Sequence, residues 1–353
     1  MSLENYLEQS LSRWMIGEGP NNSVAISSRV RLARNLAEFP FPGQASPSQL
    51  EEVEQKIRRW WNTGGLESLG ATDCISIKEI PENERMALVD KHLISPKLAR
   101  QGYGGVLINK DESVSVMVNE EDHLRIQTLL SGSQLKEAWA LASQVDDLFD
   151  TGFGYAWSPQ TGYLTCCPTN VGTGMRASIM LHLPGLAFSD QLSLILGAIS
   201  KVGIMVRGMF GEGSEAQGNI FQISNQITLG QSEEEIIEAL NRVTNQVIGQ
   251  ELEARKKLAE SDNLALKDRV WRAYGILANA RVITSTEAME YISLLRLGID
   301  LGILEGIKPR ILQELLVFAQ PGYLQKIFNQ ALSPRERDIK RAELIRELVK
   351  KQS

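Results

Sequence analysis

Near residue 230 the hydrophobic period of this chain changes, and that change limits the fold more than any other feature. Before it, short β-rich pieces alternate with polar turns: CISIKEI, GGVLINK and VSVMVNE between residues 66 and 118, then GIMVRGMF and IFQISNQITLG. From Ser232 onward nearly every stretch reads as helix, with apolar residues three and four apart. Gly and Pro near positions 275, 298, 309, 321 and 334 predict the breaks between those helices. The pattern predicts an α+β part followed by an all-α part. With 353 residues, a prior of about 150 residues per domain allows two to three domains.

Within the first part, helices are expected over residues 3–14, from Ser48 to about Trp61, from Leu135 to Asp150 and from Asp190 to Val202. A strand is expected from Val24 into SSRVRLARN, and GFGYAWSPQTGYLT resembles a hairpin. FPFPGQASPS and GEGSEAQGN read as loops.

The charges divide at nearly the same place. Residues 256–353 hold 17 basic and 12 acidic side chains, whereas the remainder holds 20 and 31. The whole chain nets −6, which argues against a general nucleic-acid binder. No apolar run is long enough to span a membrane, and the N-terminus lacks a signal-peptide pattern. Three cysteines, Cys74 and the adjacent Cys166 and Cys167, make no disulfide framework and suit a reducing cytoplasm. His92, His123 and His182 lie too far apart in sequence to suggest a multi-histidine metal site.

The usual phosphate-binding signatures are absent: there is no GxxxxGK[ST] and no GxGxxG between a strand and a helix. Arginines are more informative. Arg29 and Arg31 alternate along one strand and so share a face. Arg125, Arg176 and Arg207 sit at strand edges or beside glycine-rich loop. Each alone reads as a surface ion-pair partner, but several converging guanidinium forks suit phosphate oxygens. NEEDHLR (119–125) taken alone reads as a solvated turn. Cys167 lies in CPTNVGTGMRAS (167–178), which reads as an ordered loop opening toward a helix, where helix-terminal amides and arginines favour thiolate. Taken alone, it is also a small residue for burial.

Four segments together resemble the guanidino-phosphotransferases, the phosphagen kinase family: SSRVRLARN (27–35), NEEDHLR, CPTNVGTGMRAS and RGMFGEGSEAQGNIFQISN (207–225). They occur in family order over residues 20–250. The resemblance implies a catalytic domain over residues 1–255, an antiparallel sheet flanked by helices and similar to that of glutamine synthetase. An all-α domain over 256–353 follows it. Within the family the chain is most similar to the bacterial branch that phosphorylates arginine side chains of proteins. Only 26 residues precede Ser27, where small-molecule members carry a helical domain that closes over the substrate. RDIKRA (337–342) matches an RDxxRA element of that branch.

The resemblance also implies roles. Glu121 and Glu212 are expected to orient and deprotonate the acceptor guanidinium, with Cys167 beside it as a polarising thiolate. ATP is expected on Arg29, Arg31, Arg125, Arg176 and Arg207, with His92 and His123 near base and ribose. The motif neighbours Ser27, Ser28 and Val30 belong to the same expected site, as do Ala177, Ser178, Ile179 and Met180, and Gly208, Met209, Phe210 and Gly211. Mg²⁺ is expected to be carried by the nucleotide and water, so no protein metal ligand is assigned. Arg337, Asp338 and Arg341 become candidates for phosphoarginine binding, at the start of a helix opened by the Ser333–Glu336 capping box. Ile339, Ala342, Ile345 and Leu348 would form its apolar stripe.

Protein substrates with exposed arginines follow by analogy, including a stress-response repressor and misfolded proteins destined for a Clp protease. A possible activator protein and a homodimer built by the helical domain follow likewise. Two other readings stay open: a kinase for free arginine or a related guanidine, and a non-catalytic phosphoarginine-reading adaptor.

Overall fold

The structure is a computed structural model describing residues 11–208, 217–261 and 263–351. Ten strands are described: β1 Ala25–Arg34, β2 Thr72–Ser76, β3 Gly105–Asn109, β4 Val114–Val118, β5 Leu124–Ser131, β6 Trp157–Ser158, β7 Gly162–Tyr163, β8 Met175–His182, β9 Ile204–Gly208 and β10 Ile220–Asn225. Helices of the first part are α1 Pro47–Asn62, α2 Glu82–Asp90, α3 Pro96–Arg100, α4 Leu135–Phe153, α5 Pro184–Phe188, α6 Leu192–Ser200 and α7 Glu233–Glu260. Then come α8 Leu264–Asn279, α9 Ser285–Asp300, α10 Ile311–Phe318, α11 Pro321–Phe328 and α12 Pro334–Lys351.

Eight strands form one antiparallel sheet in the order β2-β3-β4-β5-β1-β8-β10-β9. β6 and β7 make the small expected hairpin. Alternation along β1 sends Val30 and Leu32 into a core with Ile126, Ala177 and Ile179, closed by Ala142, Val145 and Phe149 of α4 and Leu240 of α7. Arg34 points into the same layer and is held by Asp146 of α4 at 2.7 Å. Its guanidinium lies 3.5 Å from the Tyr163 ring centroid, and this buried pair ties β1 to α4.

The opposite sheet face changes character along its length. Arg29 and Arg31 occupy it near the middle, while Ile26, Leu129, Met180 and Ile220 lie in a second core with the C-terminal helices. Those helices therefore cover the end of the face that carries the arginines. Arg255 of α7 is a hub of this junction. It pairs with Glu251 at 2.6 Å and Asp300 at 2.7 Å, and donates to the carbonyls of Ser23 and His182.

Some expectations are revised. α7 runs unbroken through position 255, so the helical break falls between Glu260 and Leu264. Gly275 and Gly298 lie inside α8 and α9 and end neither. At Gly298 a Cβ would stand 2.3 Å from Val270, so glycine there permits close approach of the two helices. The expected 3–14 helix lies mostly outside the described residues, and Arg13–Met15 forms a single 3₁₀ turn. Among the described residues no helix is long and apolar enough to cross a membrane.

Candidate active site

Antiparallel pairing gathers the arginines. Arg31 stands directly opposite Arg176 on β8 and Gln127 on β5, and Arg29 opposite Ser178 and Leu129. Arg207 on β9 faces Gln222 of β10. Residues paired across an antiparallel ladder share a face, so these side chains project to one side. Arg29, Arg31, Arg125, Arg176 and Arg207 line one cleft of about 530 Å³, with His92, Glu121 and Cys167. A polar recess lined by Glu121, Asp122, Asn170 and Arg176 adjoins it.

Among the described residues the cleft carries more cationic than acidic side chains, with Asp90, Glu120 and Glu121 against five arginines and Lys97. Burial, with the like charge of Arg125, lowers Arg29 to about 9. Burial and the neighbouring Arg29, Arg125 and Arg176 hold Arg31 well below the usual arginine range. Arg31 Nε is buried without a hydrogen-bond partner. Arg125 is paired with Glu120 at 2.7 Å. Burial alone would raise the Glu120 carboxyl, but Arg125, the Ser95 hydroxyl and Lys97 outweigh it and hold it low. A multiply charged phosphate group would relieve this crowding.

NEEDHLR is not a solvated turn. Asn119 takes φ 56° at the tight β4–β5 connection, and Asn119, Glu120, Asp122 and His123 are buried. Asp122 Oδ1 accepts from the Cys166 amide and from Asn35 Nδ2, both at 2.7 Å. That carboxylate ties the Cys167 loop to the Glu121 turn. The Cys167 loop differs from its expectation. A three-residue 3₁₀ turn, Pro168–Asn170, follows the cysteine, and Gly172 (φ 111°) and Gly174 (φ 62°) then lead into strand β8 rather than a helix. So short a turn offers little helix dipole. Cys167 Sγ lies 3.0 Å from Thr169 Oγ1.

The two histidines part company. His92, in the left-handed region at φ 63°, lines the cleft, and burial plus Arg29 and Arg31 lower it to about 3, so it is neutral. His123 is not brought to the cleft. Its Nδ1 accepts from the Leu36 amide at 3.1 Å, its Nε2 lies 3.1 Å from the Pro40 carbonyl, and Phe39 and Phe41 flank the ring.

The motif neighbours are mostly structural. Val30, Ala177 and Ile179 point into the α4 core. Met180 packs in the second core, and Ser27 and Gly208 are buried. Ser28 Oγ donates to the Gly132 carbonyl and accepts from the Gln134 amide, both at 2.8 Å. Ser178 Oγ accepts from Gln222 at 2.8 Å. Met209, Phe210, Gly211 and Glu212 lie outside the described residues.

Sequence reasoning passed over Gln127, Asp90, Gln222 and Ser224, of which all but Gln127 line the cleft. Gln127 carries a readable signal, since it falls at period two from Arg125 on β5.

Arg337, Asp338 and Arg341 stand apart, at the start of α12. The expected capping box is present. Ile339 is exposed, so the buried stripe runs through Ala342, Ile345 and Val349 instead. Arg341 is 2% exposed. It donates to the carbonyls of Ala319 (2.8 Å) and Ile283 (3.0 Å) and pairs with Asp338.

A family model described as ATP:guanido phosphotransferase, C-terminal catalytic domain, matches residues 52–254. Another, described as Protein-arginine kinase McsB C-terminal domain, matches residues 263–353. A chain of Brevibacillus brevis named protein-arginine kinase is 50% identical over 351 residues, covering 99% of this chain and 98% of that one. A Bacillus subtilis chain of the same name is 48% identical over 347 residues, covering 98% and 96%. Among solved structures, lombricine kinase aligns with TM-score 0.56 over 70% of each chain, at 24% identity, a likeness of fold. A duplicated taurocyamine kinase from Schistosoma mansoni aligns with TM-score 0.53 and 27% identity, over 65% of this chain and 32% of that one.

Proposed function

The chain belongs to the ATP:guanido phosphotransferase family, in its protein-arginine kinase branch, and on that premise we propose how its cleft carries out the reaction. The activity is ATP-dependent phosphorylation of arginine side chains in proteins. The observation that carries the site reading is five arginines on one sheet face beside Glu121 and Cys167 in a single cleft.

The triphosphate lies along Arg29, Arg31, Arg125, Arg176 and Arg207, whose guanidinium forks neutralise and align it. A nitrogen of the acceptor guanidinium attacks the γ-phosphorus, an N–P bond forms, and the P–O bond to the β-phosphate breaks to release ADP. The nitrogen's proton passes to a carboxylate, Glu121 or Glu212. Free guanidinium has a pKa above about 12, so a fixed base is required. Two carboxylates gripping one guanidinium also hold it in line, which removes much of the entropic barrier. Cys167 polarises the guanidinium and forms no phosphocysteine. Transfer of this kind rests on alignment and charge neutralisation.

Mg²⁺ accompanies ATP in this proposal. Guanidinium groups donate and cannot ligate a cation, so an arginine-lined cleft fits a metal brought by the phosphates and its own waters. The ion would neutralise part of the developing phosphate charge.

The catalytic unit spans residues 1–255 and the helical unit 256–353, with α7 running across the division and linking the two. Arg337, Asp338 and Arg341 at the head of α12 form the phosphoarginine site, Arg341 acting from its buried position through Asp338, and the helical unit also supports a homodimer. The protein works in the cytoplasm on exposed arginines, among them those of a stress-response repressor and of misfolded chains bound for a Clp protease, with an activator protein as a further partner.

The test uses an Arg-rich protein, free arginine and ATP with Mg²⁺, with mass spectrometry at neutral pH because the N–P bond is acid-labile. Phosphoarginine on the protein and its loss in Glu212→Ala are expected. Full activity in that variant overturns its role. Comparable turnover of free arginine overturns the preference for proteins.

A further inference from the structure

We propose that Gln127 is a positioning residue for phosphoryl transfer, holding Arg29 in the cleft as an oriented charge that no acid among the described residues pairs with. This rests on the reading of Arg29 as a phosphate ligand and adds a part to it.

Gln127 sits on β5, and its residue is 1% exposed. Its Nε2 donates to the His92 carbonyl at 2.7 Å and to Ser115 Oγ at 3.0 Å. Its Oε1 accepts from Arg29 Nε at 2.7 Å and from Arg29 Nη2. Both amide protons and both lone pairs are thus used. The orientation is forced: a flipped amide would set NH₂ against the Arg29 donors and oxygen against the His92 carbonyl.

The chain of contacts begins outside the sheet. His92, at the turn after α2, takes φ 63°, an uncommon conformation for a non-glycine residue. Its amide donates to the Val89 carbonyl, and its ring packs against Trp14 with centroids 5.6 Å apart. Its carbonyl can therefore anchor Gln127, and Gln127 in turn fixes the Arg29 fork.

The chemical type matters as much as the place. An arginine side chain loses rotamer entropy when one geometry is imposed on it. A carboxylate at position 127 could take the same two Arg29 donors, but it would set an oxygen against the His92 carbonyl in place of the Nε2 donor and would satisfy the charge that the phosphates must meet. An amide orients and leaves the charge available. Arg34, held by Asp146, shows the contrary case of a β1 arginine whose charge is used up in the fold.

Gln127→Glu changes one heavy atom. Its expected effect is a rise of about tenfold or more in KM for ATP, the scale of one charge-assisted hydrogen bond, with kcat changed far less. In an Arg29→Ala background the same substitution should change KM no further, because Gln127 acts through Arg29. An unchanged KM in the single variant overturns the proposal. An equal rise in both backgrounds does so too, since it marks a purely structural role. If Gln127→Glu fails to fold by circular dichroism, Gln127→Met takes its place, and KM for ATP in the two backgrounds decides in the same way. Arg29→Ala alone tests the underlying reading: unchanged KM for ATP there removes the phosphate role of Arg29 itself.

Discussion

Arg31 and Arg176 stand directly opposite each other on β1 and β8, two guanidinium-bearing residues on one face of adjacent strands. Like charges across a ladder destabilise a sheet by a few tenths to about 1 kcal/mol, and here burial deepens the penalty. The pair therefore marks a place where the fold gives up stability for a ligand. Arg31→Met, which removes the guanidinium held low by burial and its arginine neighbours and its unpartnered Nε, should raise the melting temperature of the ligand-free protein by about a few degrees. The same variant should lose on the order of 10²-fold in kcat/KM for ATP, the scale of one electrostatic contact to a transition state. Calorimetry and steady-state kinetics on one preparation read both. A fall in melting temperature would show that the pair is not a source of strain.

Glu121 and Cys167 are joined through Asp122, which binds the Cys166 amide one residue from the cysteine and lies one residue from the glutamate. Glu121→Gln should keep the fold and lower kcat on a protein substrate by roughly 10²–10³-fold, the range of a lost general base. Asp122→Asn should lower kcat as well, with KM for ATP held, since the loop and the turn separate while the arginine face stays. A KM change equal to the kcat change would contradict that division. Cys167→Ser should be milder than Glu121→Gln if, as proposed, the thiol polarises and does not form a bond.

Asp90 connects the arginine-lined cleft to the C-terminal helices. Its carboxylate accepts from the Tyr323 amide at 2.8 Å at the start of α11. Burial raises it to about 7, against the opposing pull of the Tyr323 and Gly322 amides. An acid raised in the folded state binds its proton more tightly there than in the unfolded chain, where about 3.9 is usual. The stability it contributes is therefore present at low pH and is lost as pH rises from about 4 through 7. Asp90→Asn removes this dependence. The melting temperature of the parent protein, relative to that variant, should fall across that window and level off above it. A flat difference between pH 5 and 8 would refute the raised value.

Much of this architecture is legible in the residues because two periods carry it. Arg29 and Arg31 share a face by alternation alone, and β1, α1 and α4 come within a few residues of their expected bounds. What sequence spacing cannot convey is pairing across strands. That Arg31 meets Arg176, or that Gln127 reaches Arg29, depends on β5, β1 and β8 being neighbours in the sheet. Burial is hidden in the same way. NEEDHLR reads as a solvated turn because it is charged, yet Glu120, Asp122 and His123 are buried with partners that come from remote segments. Gly298 reads as a break because its partner helix cannot be seen in the sequence.

The net charge of the first part should show in kinetics. Residues 1–255 carry 31 acidic against 20 basic side chains, so cationic, Arg-rich substrates should be drawn in over long range. Screening shortens to about 8 Å at 0.15 M salt. The preference for an Arg-rich over a neutral arginine-bearing substrate, as a ratio of kcat/KM values, should narrow between low salt and about 0.5 M. A salt-independent ratio would place selection in local contacts instead.

Arg337 and Arg341 occupy the same motif and should behave differently. Arg341 is buried, with its guanidinium engaged by the carbonyls of Ala319 and Ile283 and by Asp338. Removing it leaves two carbonyls and a carboxylate without their donor, at about 1–3 kcal/mol for each buried group left unsatisfied. Arg341→Ala should therefore lower the melting temperature by several degrees and disturb the junction of α10, α11 and α12. Arg337 is half-buried at the helix start. Arg337→Ala should leave the melting temperature within about a degree of the parent, as expected for substitutions away from buried networks. If phosphoarginine binds at this helix head, that variant should lose affinity for a phosphoarginine peptide in a fluorescence titration. Equal loss of stability in both variants would show that the element serves packing alone, and retained affinity in a folded Arg337→Ala would move the phosphoarginine site elsewhere.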